Sequence, residues 1–138
     1  LAYAVSLAFD GLNYHLPPPL GIVGLAGLIT AFLIRAKAHL DLGESFTISP
    51  GTKRRRQLVT TGIYSRIRHP MYLSMVVWAI SSPLVLQNFL VGLFPLAAIA
   101  AFLLVRVPLE EKILKEEFGD EYDKYLARTG ALLPRLIE

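Results

Sequence analysis

The chain has 138 residues, of which 54% are hydrophobic and 18% are charged, and its mean hydropathy is +0.49. So apolar a composition excludes an intrinsically disordered chain and is not that of a small soluble domain. The absence of cysteine excludes disulfides and cysteine-based metal or nucleophile sites, and the modest net charge of +3 argues against nucleic acid as a partner.

Two apolar segments precede residue 35. Residues 1–9 have the composition of the end of a membrane helix, and because the chain begins with Leu1 and has no basic stretch there, we expect a trimmed N-terminus and not a signal peptide. Residues 20–34 are predicted to form a membrane helix that begins after three prolines and ends at Arg35. Its glycines indicate close packing against a neighbouring helix. They are Gly21, Gly24 and Gly27.

A predicted polar loop, 35–69, leads to the next apolar region. Loops of such length are usually either functional or disordered. The loop ends with Arg68 and His69, and Pro70 can occupy the first position of the helix that follows. The amides and the positive dipole end at such a helix start suit an anionic group. The alternative is that Arg68 and Tyr72 only anchor the chain at the lipid interface.

A membrane hairpin is predicted after this loop. The 37 residues between Arg68 and Arg106 include no charged residue. A single helix of that length would extend about 55 Å, nearly twice a hydrocarbon core of roughly 30 Å. We therefore predict two helices, 71–86 and 89–105, folded back at the polar pair Gln87-Asn88.

The tail after residue 105 is predicted to contain an amphipathic helix, because apolar residues recur in it every four positions. These are Leu114, Phe118, Tyr122 and Leu126. The same stripe extends backwards to Glu110 and Arg106, an acid and a base at the membrane boundary. An ionisable residue at such depth is a candidate functional residue, although a simple ion pair that ends the helix is the alternative. Glu111 is expected to pair with Lys115 in solvent.

The basic residues indicate the topology. Eight of the 14 Lys and Arg residues lie in 35–68 and six lie in 106–138, whereas the opposite ends of the apolar helices hold none. Because two crossings separate these regions, they share one side of the membrane, which the positive-inside rule assigns to the cytoplasm. The basic run 53–56 is expected to set this topology or to contact lipid headgroups. No metal site is predicted, because the three histidines are isolated.

The stretch from Gln57 to Pro134 resembles the isoprenylcysteine carboxyl methyltransferase family and its phospholipid methyltransferase relatives. The matching motifs, in order along the chain, are LVTTGIY (58–64), RHPMY (68–72), Arg106, Glu110-Glu111, FGDEY (118–122), Tyr125, Thr129-Gly130 and Leu133-Pro134. The resemblance therefore covers more than half of the chain, with the order of its motifs intact.

The resemblance implies an all-α integral membrane protein of about four transmembrane helices. In it, the cytoplasmic loop and the C-terminal amphipathic helix would form a pocket for S-adenosylmethionine. Arg106 is expected to face the methyl acceptor and, with Glu110, to be catalytic. The residues expected to bind the cofactor are Gln57, Leu58, Val59, Tyr64, His69, Pro70, Met71, Tyr72 and Glu110.

The predicted organisation is a single membrane methyltransferase domain. Its parts are a partial membrane helix (1–16), a membrane helix (20–34), a cytoplasmic loop (35–69), a helical hairpin (70–105) and a cytoplasmic tail (106–138). The expected reaction is carboxyl O-methylation of an isoprenylcysteine-like acceptor that comes from the membrane. The oligomeric state stays open.

Three alternatives remain. The first is N-methylation of a phospholipid amine, which Arg106 disfavours because a guanidinium repels a protonated amine. The second is a membrane reductase with a nicotinamide cofactor, whose phosphate the basic residues 54–56 would bind. The third is a non-catalytic scaffold, which would leave the face of Arg106 and Glu110 without a purpose.

Overall fold

The computed structural model describes residues 11–43 and 57–135, and within them it contains four α-helices and one 3₁₀ turn. The helices are α1 (Pro18–Leu42), α2 (Pro70–Leu86), α3 (Phe89–Phe118) and α4 (Asp120–Arg128), and the turn is Gly62–Ser65. The predictions for residues 1–9 and for the basic run 53–56 lie outside the described residues. Residues 11–16, which were expected to continue a membrane helix, are not helical.

The described chain divides into two compact units. The apolar unit consists of residues 11–32 and 74–104, and the polar unit consists of residues 33–43, 57–73 and 105–135. Helices α1, α2 and α3 each contribute residues to both units, whereas the 3₁₀ turn and α4 belong to the polar unit alone.

Helix α1 is longer than the sequence predicted. It was expected to end at residue 34, but it continues to Leu42. Residues 35–42 include no Gly or Pro, and Lys37 pairs with Asp41 one turn later at 2.5 Å. A charged residue alone therefore does not end the helix. The helix is followed by Gly43, whose φ of +52° is the left-handed conformation that commonly ends a helix.

Close packing of α1 against α2 organises the apolar unit, as its glycines predicted. A Cβ atom added at Gly24 would lie 2.7 Å from the Cβ atom of Leu84, and one added at Gly27 would collide with Ser81. Ala31, about one turn further along α1, is also buried. Small residues here allow the two helices to approach closely, which is the usual basis of helix association in lipid.

The hairpin turn lies where the sequence placed it. Helix α2 ends at Leu86 and α3 begins at Phe89, so the connection is Gln87-Asn88. Gln87 has a φ of +48°, and the Asn88 side chain accepts hydrogen bonds from the amides of Leu90 and Val91 at 3.0 and 3.1 Å. This side chain therefore caps α3 by satisfying amides that have no partner inside the helix.

Helix α3 combines two elements that the sequence separated. It was expected to end at residue 105, with an amphipathic tail helix after it, but it continues through Pro108 to Phe118. Strong helix formers such as Glu110, Glu111 and Lys112 follow the proline, which explains the continuation. The predicted stripe is then broken at Gly119, whose φ of +53° separates α3 from α4.

Two of the described helices are long and apolar enough to cross a membrane, namely α1 with a mean hydropathy of 1.8 and α3 with 2.4. Only 6% of the spanning window of α3 is buried, so it is not the core helix of a soluble domain. Helix α2 is also apolar, but with 17 residues it is shorter than these two helices. The expected count of about four transmembrane helices stays a prediction.

Candidate active site

The polar unit fixes the segment that precedes α2 by main-chain hydrogen bonds to the end of the described chain. The amides of Arg68 and His69 donate to the carbonyl groups of Gly130 and Ala131, both at 2.9 Å, and the Gly130 amide donates to Arg66 at 3.2 Å. The two bonds made by Gly130 form an isolated parallel bridge between Ile67 and Gly130, and the His69 bond extends the contact. The start of α2 is thereby held beside the residues that follow α4.

A partly buried ion pair reinforces this pairing. The Nε and Nη2 atoms of Arg68 each lie 2.9 Å from Oε1 of Glu111 on α3, and Nη1 donates to the Thr129 carbonyl at 2.5 Å. The Arg68 side chain is only 10% exposed, so its charge is paired within the protein and is not available to solvent. We call Arg68, His69, Glu111 and Thr129 the staple.

His69 is the second partner of Glu111 in the staple. Its Nε2 atom lies 3.2 Å from Oε1 of Glu111, and because a carboxylate only accepts, Nε2 carries the hydrogen. The His69 ring stacks on Tyr72 with ring centroids 5.3 Å apart. Burial lowers the pKa of His69 below its usual 6.5, and this outweighs the opposing effect of the nearby carboxylates of Glu110 and Glu111. His69 is therefore a neutral, positioning side chain near pH 7.

A second and more accessible cluster includes Glu110, which directly precedes Glu111 on α3. We call Tyr72, Arg106 and Glu110 the trio. The Tyr72 hydroxyl donates to Oε2 of Glu110 at 2.5 Å and lies 3.4 Å from Nε of Arg106, whereas Arg106 and Glu110 are 3.8 Å apart. The Arg106 and Glu110 side chains are 49% and 35% exposed. Both charges are therefore within reach of a bound molecule.

The trio has unused hydrogen-bonding capacity. Within residues 11–43 and 57–135, no hydrogen bond is made by Nη1 or Nη2 of Arg106 or by Oε1 of Glu110. The two Nη atoms form the fork that binds a carboxylate with two parallel hydrogen bonds. A carboxylate oxygen beside it suits a cationic or hydroxyl group. The trio can thus bind a zwitterion, or two ligands of opposite charge.

Three buried tyrosines support the staple from α4 and the 3₁₀ turn. The Tyr125 hydroxyl donates to the Tyr64 carbonyl at 2.7 Å. Burial raises the pKa of Tyr64 and of Tyr122 to about 12 and also raises that of Tyr125, so all three phenols stay protonated near pH 7. The hydroxyl of Tyr122 is buried and has no hydrogen-bond partner among the described residues. These tyrosines pack the unit and do not supply a base.

Comparison with known proteins identifies the family. The profile of the isoprenylcysteine carboxyl methyltransferase (ICMT) family matches residues 22–116. This chain belongs to the isoprenylcysteine carboxyl methyltransferase family. It is 33% identical over 103 residues to the protein-S-isoprenylcysteine O-methyltransferase of Schizosaccharomyces pombe, covering 73% of this chain and 44% of that protein. It is 32% identical over 134 residues to protein-S-isoprenylcysteine O-methyltransferase B of Arabidopsis thaliana, covering 91% and 64%.

A solved structure shares the fold. The eukaryotic intramembrane Ras methyltransferase ICMT matches with a TM-score of 0.72 and 30% identity, over 83% of this chain and 42% of that one. The likeness confirms the expected all-helical architecture and supports integration of this family member into a membrane. The chain spans 42% to 64% of the length of these three relatives.

The predicted site residues divide into three groups. Arg106, Glu110 and Tyr72 form one hydrogen-bonded cluster, in which the predicted alignment of Arg106 with Glu110 is observed. The side chains of Tyr64, His69 and Pro70 are buried, and Met71 is half-buried at the start of α2. Gln57 is exposed, Leu58 and Val59 are half-buried, and none of them bonds to the trio within the described chain.

The expected pairing of Glu111 with Lys115 is wrong. Glu111 binds Arg68 and His69 instead, and Lys115 pairs with Asp123 of α4 at 2.8 Å. A surface pair between residues four apart is weak, so a buried guanidinium on another element outcompetes it. The doublet Glu110-Glu111 is one of the motifs of the resemblance, but the residues around it on the helix do not show which partner each carboxylate binds.

Asp41 makes a further contact that was not predicted. Its carboxylate, at the end of α1, accepts a hydrogen bond from the amide of Ile63 at 2.6 Å and pairs with Lys37. A Cβ atom added at Gly62 would collide with Asp41, and the φ of Gly62 is +59°. Asp41 therefore ties α1 to the 3₁₀ turn, where only glycine fits at position 62.

Proposed function

We propose that this protein is an S-adenosylmethionine-dependent methyltransferase of the membrane, and that it methylates the carboxylate of an isoprenylcysteine-like acceptor. Membership of the family and the names of the relatives support the reaction. The proposal includes a multi-pass topology with residues 35–69 and 106–138 in the cytoplasm, which the distribution of the 14 basic residues supports. It also keeps the organisation as a single domain.

The observation that carries the proposal is the trio. Its guanidinium fork and its carboxylate oxygen lack partners among the described residues, and both side chains are partly exposed. They lie on the same helix as the apolar segment with a mean hydropathy of 2.4. A charged group at the end of an apolar span can hold the polar end of a molecule whose chain stays in lipid.

The chemistry of the trio fits S-adenosylmethionine and an acidic acceptor. The cofactor carries a cationic amino group and ribose hydroxyls, which the carboxylate of Glu110 would bind. The acceptor carboxylate would be held by the Nη atoms of Arg106. When bound, S-adenosylmethionine would supply a methyl group on a sulfonium, which is electrophilic enough to need no metal ion.

The chain itself would supply positioning. A carboxylate acceptor is already ionised near pH 7, so the site needs no general base, and the neutral His69 and the protonated tyrosines are consistent with that. Arg106 would orient the acceptor oxygen, and fixed orientation lowers the entropic part of the barrier. An apolar setting that excludes water would further favour the union of opposite charges.

The remaining predicted cofactor residues would act in two ways. Tyr64, His69 and Pro70 are buried, so we assign them to shaping the start of α2. Met71 belongs to the first turn of α2 and would contact the cofactor there. The accessible residues of the preceding segment would line the adenosine side. These are Gln57, Leu58 and Val59.

Methyl transfer by the full chain in detergent or nanodiscs tests the proposal. Calorimetry should detect binding of S-adenosylhomocysteine, and radiolabelled methyl groups should appear on a prenylcysteine analogue but not on its carboxamide. Labelling of phosphatidylethanolamine instead would replace the acceptor with a phospholipid amine. Binding of a reduced nicotinamide phosphate without S-adenosylhomocysteine would reject the methyltransferase.

Arg106→Ala sharpens this test. A charge-assisted pair contributes about 1.5–3 kcal/mol to binding. Without it, we expect carboxylate methylation to fall roughly 10- to 100-fold or more. Lys112→Ala is the matched control, because Lys112 is an exposed cation on the same helix whose pair with Glu116 is 3.9 Å long. Unchanged turnover of Arg106→Ala would show that Arg106 does not bind the acceptor.

A further inference from the structure

The direct contact within the Arg106–Glu110 pair is loose. The two side chains lie one helical turn apart on α3, yet Nε of Arg106 is 3.8 Å from Oε2 of Glu110, beyond hydrogen-bond distance. An exposed pair at that separation has little preference for one geometry. Something other than their mutual attraction must fix the direction of the guanidinium if it is to receive a ligand.

The Tyr72 hydroxyl bonds to both of these charges. Its hydroxyl proton is donated to Oε2 of Glu110 at 2.5 Å, so the oxygen's lone pairs are left to face Nε of Arg106 at 3.4 Å. A hydroxyl can donate once and accept as well, which lets it separate a carboxylate from a cation while bonding to both. The phenol comes from α2, so the cluster is braced across two helices.

The position of the phenol has a chemical consequence for Arg106. With Nε turned toward Tyr72, the end of the guanidinium that carries Nη1 and Nη2 is the edge left for a carboxylate. Without the hydroxyl, Nε of Arg106 can close directly onto Glu110. That pair would satisfy both charges internally and would compete with the ligands of each.

We propose that Tyr72 is a positioning residue that keeps Arg106 and Glu110 apart and directs the Arg106 fork toward an anionic acceptor. This inference rests on the proposed function, because it assigns the fork to the acceptor carboxylate. It gives the tyrosine hydroxyl a role in selecting an acid over an uncharged molecule of the same shape.

Tyr72→Phe tests the proposal, since phenylalanine keeps the ring that stacks on His69 and removes only the hydroxyl. Binding to the full chain should be measured by calorimetry for a prenylcysteine analogue and for its methyl ester. We expect the wild type to prefer the acid and the variant to lose about tenfold of that preference, with KM for the acid rising by a similar factor. Affinity for the ester should change less than twofold.

Two comparisons make the outcome decisive. Tyr14→Phe is the matched control, because it deletes a hydroxyl that donates to the Pro83 carbonyl at 2.5 Å in the apolar unit. It should leave acid selectivity intact. Arg106→Lys should lose selectivity as Tyr72→Phe does, and the double variant should lose no more than either single variant, because both changes disable one device.

Additive losses, or wild-type selectivity in Tyr72→Phe, would overturn the positioning role. An apparent Tm measured for each variant separates these results from unfolding. A wild-type protein that binds the acid selectively but transfers no methyl group would instead reject the proposed function and leave the positioning role standing.

Discussion

Glu110 and Glu111 are neighbours on one helix, yet Glu110 belongs to the trio and Glu111 to the staple. Glu111 faces the segment before α2 and the end of the described chain, where it binds a guanidinium that is 10% exposed. Glu110 faces Tyr72 and Arg106, where the guanidinium is 49% exposed. A rotation of about 100° per residue separates the two carboxylates around the helix axis, which is enough to give them different neighbours.

The comparison shows how a small polar unit can keep charged side chains available for a ligand instead of pairing all of them within the protein. In the staple, the Arg68 guanidinium is satisfied by Glu111 and Thr129, which suits a structural role. In the trio, the corresponding groups keep donors and an acceptor in reserve among the described residues. Exposure and unused hydrogen-bonding capacity, more than residue type, separate the candidate binding residues from the supporting ones.

The largest expected effect lies in the staple. Of the partners that Glu111 has in the described chain, Arg68→Ala leaves only His69, and it also removes the contacts to Thr129. The free energy of unfolding should therefore fall by about 3 kcal/mol, which is the low end for a broken buried pair because Glu111 is a quarter exposed. A lower apparent Tm in detergent measures it. Arg66→Ala should change Tm little, because that arginine is exposed. Equal Tm values for the two variants would show that the ion pair does not stabilise the fold.

The paired variants Glu110→Gln and Glu111→Gln should separate activity from stability. Glu110→Gln removes the accessible charge, so we expect a roughly tenfold or greater loss of methyl transfer with an almost unchanged Tm. Glu111→Gln retains an acceptor oxygen for Arg68 but loses the charge, so Tm should fall while binding of S-adenosylhomocysteine to the folded fraction persists. The opposite pattern would show that the two roles have been exchanged.

The smallest expected effect is a pH dependence of the staple. Burial lowers the pKa of His69, so below about pH 6.5 the unfolded chain binds a proton that the folded chain resists. The contribution is fully present above pH 6.5 and is lost as the pH falls toward the folded pKa. His69→Gln, which keeps a donor for Glu111, should flatten the fall in apparent Tm between pH 7.5 and 5.5, whereas exposed His15→Gln should not. Parallel profiles for the wild type and His69→Gln would contradict this assignment.

Much of the fold followed from local rules. The turn at Gln87-Asn88 was predictable because the 37-residue uncharged run is too long for one crossing and contains one strongly polar pair. The alignment of Arg106 with Glu110 followed from helical periodicity. Helix ends were harder to predict, since α1 and α3 each continued past a charged boundary and ended next to glycines with positive φ.

The sequence by itself determined the apolar helices, the hairpin and the family, because hydropathy, periodicity and motif order are properties of neighbouring residues. Only the tertiary structure decided which glutamate binds Arg68, and that the Tyr72 hydroxyl bonds to both charges of the trio. Those contacts join residues 34 to 43 positions apart. No local pattern encodes such pairings, because a carboxylate takes whichever cation the packing of other elements brings to its side of the helix.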